Sequence, residues 1–159
     1  MEYRELLTGF AKACGLDGLT FDDEGVAVIL ADDISLSFME VPEARRLVMF
    51  ADVARTTPSG NCERLYKALL EAQHLGMATG GATFSISPEG KISLYRLDPL
   101  VDLDVEVLTK IVENFLDLID RWRGIIAAYR PDEPPEEEEP REEEPLEQET
   151  LENFGFMRV

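Results

Sequence analysis

The side chains that could do chemistry are few in this sequence and lie far apart. His74 is the only histidine, and it lies late in a predicted helix, where the helix dipole favours a cation. No serine or cysteine near it in the sequence suggests a nucleophile for it to activate. Cys14 and Cys62 lack a CxxC spacing, so we expect two free thiols in a reducing compartment. These residues favour a binding protein over an enzyme.

Three other segments have a superficial likeness to ligand sites. The segment GMATGGATF, residues 76–84, is glycine-rich like a phosphate loop, but it lacks the GK[ST] ending and precedes a strand instead of a helix. Its glycines are expected to let the chain reverse tightly between a helix and a hairpin. The acidic segments 22–25 and 31–33 are better explained as turns than as metal ligands. We therefore expect no cofactor and no metal.

The chain is strongly acidic, with a net charge of −18 over 159 residues. Residues 131–159 hold twelve acidic side chains and two arginines, a net charge of −10, so residues 1–130 carry the other −8. Because an acidic body repels phosphate backbones, nucleic acid is not an expected partner. No stretch approaches the ~18 apolar residues of a membrane helix. The N-terminus also lacks the basic and apolar regions of a signal peptide, so the expected location is cytoplasmic.

The first half of the chain predicts one helix followed by three or four strands. Apolar residues at helical spacing predict a helix over residues 3–14, which Gly15 ends. Strands follow at 26–30, 34–40 and 46–54, with a further short strand at 19–21 before the turn at 22–25. The segment 46–54 is apolar on both faces, which predicts a central strand or a strand in an interface.

The second half of the chain predicts a helix, a hairpin and a last helix. The helix covers residues 61–75, and the hairpin pairs 82–86 with 92–97 around Pro88–Gly90. The last helix covers 104–128, with an apolar stripe that suits packing on a sheet or, alternatively, a coiled coil. The fold class is α+β, a small domain with a twisted, mostly antiparallel sheet and three helices in the order α-β-β-β(-β)-α-β-β-α.

The C-terminal segment divides into an acidic linker and an apolar peptide. Residues 131–150 are rich in proline and glutamate and bury too little surface to fold alone, so they are predicted to be a solvated linker. The last nine residues, 151–159, form a peptide rich in apolar side chains. We expect this peptide to dock on an apolar surface of the same or a neighbouring molecule, through Leu151, Phe154, Phe156 and Met157. The alternative is a crystal contact or a short C-terminal helix.

Residues 69–100, LLEAQHLGMATGGATFSISPEGKISLYRLDPL, and 108–123, LTKIVENFLDLIDRWR, carry a family resemblance. A helix end leads through a TGGAT loop into a hairpin, and Phe115 and Trp122 follow on the last helix. This arrangement resembles the class I type III secretion chaperones of the Tir-chaperone (CesT-like) family. In this sequence Gln73 stands where the family usually has Asn. The amide is retained, so we expect the hydrogen bonding of the helix end to be made through a longer side chain. The acidic tail is longer than the family's usual ending.

The resemblance implies a homodimeric domain over residues 1–130 that has no catalytic activity. Such a chaperone binds the N-terminal chaperone-binding segment of a secreted effector in extended form and keeps it soluble and competent for secretion. The alternative is a non-secretion adaptor or regulator of the same fold that binds a folded partner. The cargo-binding candidates are Leu6, Leu7, Phe10, Leu30, Leu36 and Phe38. The dimer-interface candidates are Leu47, Met49, Phe50, Leu65, Tyr66, Leu69 and Phe84. For each single residue, ordinary core packing is the alternative.

Overall fold

The computed structural model describes residues 2–16 and 19–131, which contain three α-helices and five strands. In chain order they are α1 (Tyr3–Ala13), β1 (Ala27–Ala31), β2 (Ile34–Val41), β3 (Arg46–Ala54), α2 (Glu63–Ala72), β4 (Thr83–Ile86), β5 (Ile92–Pro99) and α3 (Val105–Ala128). The predicted order and the α+β class are confirmed. The short strand expected at residues 19–21 is absent, since only a single bridge joins Phe21 to Ala27.

The five strands form one sheet in the order β1-β2-β3-β5-β4, and every neighbouring pair is antiparallel. β3 lies in the middle, as its two apolar faces predicted. Leu47 and Met49 point to one face and are buried, while Val48, between them, is buried on the other. Two sheet edges remain, the outer side of β1 and the outer side of β4.

Tight turns join the hairpins and fix their register. Asp32 and Asp33 join β1 to β2, and Asp32 has a positive φ of 51°, which aspartate tolerates better than most residues. Gly90 turns β4 into β5 with a φ of 84°. The acidic segments at 22–25 and 31–33 are therefore turns, as expected. Asp22 accepts hydrogen bonds from the backbone N–H groups of Glu24 and Val26.

One face of the sheet packs against α1 and α3 to form the core. Leu36, Phe38 and Leu94 lie on this face and are fully buried. α1 approaches α3 closely at Gly9, where a Cβ atom would lie 2.9 Å from Cγ2 of Val105. A larger residue at this position would require the Val105 side chain or the helices themselves to shift. Close packing thus explains a glycine in a helix interior, where it otherwise costs about 1 kcal/mol.

α3 begins where the sequence predicted, because Asp104 caps it. The Asp104 carboxylate accepts a hydrogen bond from the backbone N–H of Val107 at 2.8 Å. The apolar stripe of α3 is buried against the sheet and α1, so packing on a sheet describes it and a coiled coil does not. Trp122 contacts Phe84 of β4 edge to face, with ring centroids 4.8 Å apart.

Tyr3 fastens α1 to the sheet. Its side chain is buried, and its hydroxyl lies within hydrogen-bonding distance of the carbonyl oxygens of Gly25 and Phe38, at 3.0 and 2.9 Å. Burial, and after it the charge of Glu40, raises the pKa of Tyr3 to about 12. The neutral phenol is therefore the form that holds α1 beside the beginning of β1.

Candidate binding surfaces

The outer side of β1, hereafter the β1 edge, has the features of a peptide-binding surface. Ala31 and Ile34 flank a two-residue turn and form the first hydrogen-bonded pair of the hairpin. Hydrogen-bonded pairs alternate with non-hydrogen-bonded pairs along an antiparallel ladder, so the backbones of Ile29 and Ala27 also form hydrogen bonds with β2. Val28 and Leu30 then direct their backbone N–H and C=O groups away from β2. Among the described residues, the bridge between Phe21 and Ala27 covers the beginning of this edge, where the N–H of Asp22 donates to the carbonyl of Val26 at 2.9 Å, and the part beside Leu30 stays open.

Two exposed apolar side chains accompany these backbone groups. Val28 is 53% exposed and Leu30 is 70% exposed, and both lie on the face of the sheet opposite α1 and α3. Across β2 they face Ser37 and Ser35. Sheet edges are usually protected by charged side chains or proline, and β1 has neither. An exposed apolar edge of this kind suits the addition of a further strand.

The opposite edge of the sheet is partly closed by the end of α2. The side-chain oxygen of Gln73 accepts a hydrogen bond from the backbone N–H of Phe84 in β4 at 2.8 Å. This N–H points away from β5 and would otherwise be free to pair with another strand. The amide at position 73 thus satisfies a sheet edge, whereas we had expected it to serve the helix end. Of the two edges, β1 is the more open to a strand.

The glycine-rich segment is structural, as the sequence indicated. A Cβ atom on Gly76 would lie 3.1 Å from Cα of Gly81, so the close approach of the two halves of the loop favours glycine at position 76, while position 81 favours glycine through its positive φ of 87°. The loop is held by Arg96, which donates to the carbonyl of Gly80 and forms hydrogen bonds with both carboxylate oxygens of Asp98. Sequence reasoning missed this clamp, since Arg96 and Asp98 both lie within a strand.

α2 carries a second apolar stripe that no described element covers. Leu65 and Leu69 are buried in the core, while Tyr66 and Leu70 lie on another side of the helix and are 37% and 62% exposed. They line a shallow groove, hereafter the α2 groove, together with Gly60, Asn61, Cys62, Glu63, Lys67, Glu71 and His74. The groove suits a broad apolar contact.

The structure places five of the six cargo-binding candidates in the core. The side chains of Leu6, Leu7, Phe10, Leu36 and Phe38 are at most 2% exposed. In this conformation they support the sheet from the helix side and offer no surface to a partner. Leu30 is the only exposed candidate of the six. Val28, which the sequence reasoning did not select, lies beside it.

The dimer-interface candidates divide in a similar way. Leu47, Met49, Leu65, Leu69 and Phe84 are buried within the chain. Phe50 is half-buried on the sheet face opposite α1 and α3, and Tyr66 is exposed in the α2 groove. Leu70, which was not selected, is more exposed than either, and its (i, i+4) spacing from Tyr66 was the signal that could have identified it.

Apart from Pro131, the predicted linker lies outside the described residues, and so do the tail-docking residues Leu151, Phe154, Phe156 and Met157. The described chain ends at Pro131, whose ring packs against Gly60 beside the start of α2. Arg64 donates a hydrogen bond to the carbonyl of Arg130, and Tyr129 donates one to the carbonyl of Asn61. The described part of the chain therefore ends close to the α2 groove.

Few groups on the described surface could perform a reaction. In residues 2–16 and 19–131, no group of three or more His, Cys, Asp or Glu side chains is placed to hold a metal ion. Partial burial, and after it the charge of Glu113, raises the pKa of the Cys14 thiol, which makes it less reactive. Cys62 is buried and donates to the carbonyl of Pro58. Within the same part of the chain, no helix is long and apolar enough to cross a bilayer.

Residues 5–123 match the model of the Tir chaperone protein (CesT) family. The chain belongs to this family. The resemblance seen at residues 69–123 is confirmed, and with it the predicted class of function, a type III secretion chaperone. The CesT family is a chaperone family, and the fold described above is the one that its members share.

Relatives of this CesT-family protein include a regulator and chaperones in complex with their partners. It is 27% identical over 130 residues to the transcriptional anti-antiactivator ExsC of Pseudomonas aeruginosa, covering 76% of this chain and 83% of ExsC. The structure of the ExsC–ExsE complex matches with a TM-score of 0.65 and 25% identity over 77% of this chain and 91% of the other. The HopA1–SchA chaperone–effector complex matches with a TM-score of 0.65 and 21% identity, covering 77% of this chain and 93% of the other.

Proposed function

We propose that this protein is a type III secretion chaperone that binds the N-terminal chaperone-binding segment of a secreted effector in extended form along the β1 edge. Cargo held in this way would remain soluble and competent for secretion. The observation that supports the proposal most strongly is the open β1 edge, where outward-facing backbone groups and the exposed side chains of Val28 and Leu30 occur together. An extended segment can satisfy both at once.

The geometry of strand addition explains why the cargo segment would have to be extended. A segment paired with β1 would hydrogen-bond to the backbone of Val28 and Leu30, which repeats the ladder already present between β1 and β2. Its side chains would alternate, and every second one would lie beside Val28 and Leu30 on the exposed face. Backbone hydrogen bonds contribute affinity that does not depend on the side chains of the segment. One chaperone can therefore accept segments that share only an alternation of apolar and polar residues.

The dimer implied by the family would use the α2 groove. Tyr66 and Leu70 present apolar surface that a single chain leaves in water, and a second copy could bury the same stripe around a two-fold axis. Since the groove and the β1 edge involve different elements, a dimer formed in this way would keep two edges available for cargo. We further propose that the protein is not an enzyme and acts in the cytoplasm, where effectors are held before export.

The test separates the backbone contribution from the side-chain contribution at one position. The Leu30→Pro variant removes an N–H that points outward, so it leaves the β1–β2 ladder intact but blocks strand addition. The Leu30→Ser variant removes only the apolar side chain. Leu75→Ser, at an exposed leucine outside the sheet, is the matched control.

The partner is first captured from native cells with the full chain, identified by mass spectrometry and cut back to the region that suffices for binding. We expect an N-terminal region to suffice, with Leu30→Pro weakening its binding by more than about tenfold, Leu30→Ser by about three- to tenfold, and Leu75→Ser having no effect. Circular dichroism confirms that each variant is folded. Unchanged affinity of a folded Leu30→Pro variant would contradict strand addition.

A regulator is the second candidate function, and the similarity to ExsC favours it. ExsC is named for countering an antiactivator, so a relative could act by holding a regulatory protein away from its target. The same capture experiment distinguishes the two functions. A secreted protein bound through its N-terminal region supports the chaperone, whereas a folded regulatory protein bound as an intact domain supports the regulator.

A further inference from the structure

The β1 edge lies between two acidic turns. Asp22, Asp23 and Glu24 are exposed immediately before the strand, and Asp32 and Asp33 are exposed immediately after it. β1 rises about 3.3 Å per residue, so the two turns are separated by roughly 20 Å. Because Phe21 bridges to Ala27 on the outer side of β1, an extended segment would lie along residues 28–31, with one end beside the Asp32–Asp33 turn and the other end directed toward the turn at 22–24.

Part of this charge is already used within the domain. Asp22 accepts two backbone hydrogen bonds in its own turn, and Asp33 forms an ion pair with Arg123 at 2.9 Å. Asp23, Glu24 and Asp32 form no ion pair with the described residues.

A positive group at the start of the edge is the Arg4 guanidinium, which lies 4.6 Å from the centroid of the Phe21 ring. Carboxylates thus outnumber basic groups at both ends of the edge. Charges within about 8 Å of a docked segment act on it at physiological salt, so both turns can influence what binds between them.

We propose that the β1 edge selects segments that carry a basic residue at each end of an alternating apolar stretch. The apolar stretch would pair with β1 beside Val28 and Leu30, and lysine or arginine side chains at its ends would reach the carboxylates of Asp23, Glu24 and Asp32. This inference rests on the proposed function and adds the chemistry of the partner. The same charges disfavour the acidic C-terminal segment of this chain at this edge.

The test uses three synthetic peptides and the full-length chain. Two peptides share a five-residue alternation of valine or leucine with threonine and differ only in their flanks, which are lysine in one and glutamate in the other. The third peptide is residues 146–159 of this chain. Isothermal titration at 20 mM and 300 mM NaCl measures each dissociation constant.

At low salt we expect the lysine-flanked peptide to bind about tenfold more tightly than the glutamate-flanked peptide, and the difference to shrink at high salt. Replacing Asp23, Glu24 and Asp32 together by their amides should remove most of that difference. The control variant neutralises Asp102, Glu113 and Asp117, three exposed carboxylates outside the sheet, and should leave it unchanged.

Each other outcome is decisive. Equal binding of the two flanked peptides at low salt would overturn the charge selection and leave strand addition standing. Tightest binding by the glutamate-flanked peptide or by residues 146–159 would reverse the inference and indicate that the tail occupies the edge. If no peptide binds while a captured effector does, docking at β1 itself is wrong, and the chaperone function stands on another surface.

Discussion

Replacing Tyr3 by phenylalanine tests how α1 is fastened to the sheet. At neutral pH the variant loses a hydroxyl that lies against the carbonyl oxygens of Gly25 and Phe38, both of which then lack that donor. We expect the free energy of unfolding to fall by about 1–2 kcal/mol, the usual effect of deleting a buried hydrogen-bonding group.

The pH dependence of this difference is more informative than its size. Below pH 10 the tyrosine is protonated in both the folded and the unfolded chain, so its stabilisation is fully present. The folded pKa is about 12, against 10.0 for the unfolded group. As the pH rises from 10 to 12, the unfolded chain releases this proton and the folded chain does not, so stability is lost.

The pKa difference of two units between the folded and the unfolded chain corresponds to about 3 kcal/mol of unfolding free energy, and roughly half of that is lost by pH 11. The wild type should therefore be the more stable protein at pH 8 and the less stable one near pH 12. Urea unfolding at fixed protein concentration, followed by circular dichroism at pH 8, 10 and 11, measures both proteins. Other groups that titrate in this range contribute equally to both and cancel in the difference. A difference that stays constant from pH 8 to pH 11 would refute the argument.

Two further substitutions test the α2 groove and the Arg96 clamp. Leu70→Asp places a charge on the exposed apolar stripe of α2, so sedimentation analysis should show the dissociation constant of the dimer rising at least about tenfold. Val101→Asp, a control at another exposed residue, should stay dimeric. An equally dimeric Leu70→Asp variant would place the interface elsewhere. Asp98→Ala removes the carboxylate that pairs with the mostly buried Arg96, and urea unfolding should show a loss of about 2 kcal/mol. Asp102→Ala, at an exposed aspartate, should cost under about 0.5 kcal/mol, and a similarly small cost at Asp98 would contradict the clamp.

The helices and hairpins were predictable because their signals are local. The apolar residues of α3 recur at steps of three and four, and Asp104 lies immediately before the first of them, so its start follows from capping alone. The hairpin around Gly90 combines two alternating segments with a residue that tolerates positive φ. The strand expected at 19–21 failed for a non-local reason, since a strand needs a continued ladder and only Phe21 forms a bridge to β1.

Leu6 and Leu30 illustrate why the binding residues were harder to identify. Both are leucines in amphipathic segments, yet Leu6 is fully buried beneath the sheet and Leu30 is 70% exposed at its edge. Nothing in either segment records which strands become neighbours. The strand order leaves β1 at the outside, and the choice between core and surface follows from that order.

The sequence by itself determined the elements, their order, the family and the acidic character of the chain, because periodicity, capping, turn chemistry and charge are properties of short segments. The tertiary structure decided which sheet edge is open. Gln73 reaches across eleven positions of sequence to satisfy the backbone of Phe84, while no described side chain does the same for Leu30. A backbone group becomes available for binding only through what the folded chain leaves beside it, and that depends on contacts between residues far apart in the sequence.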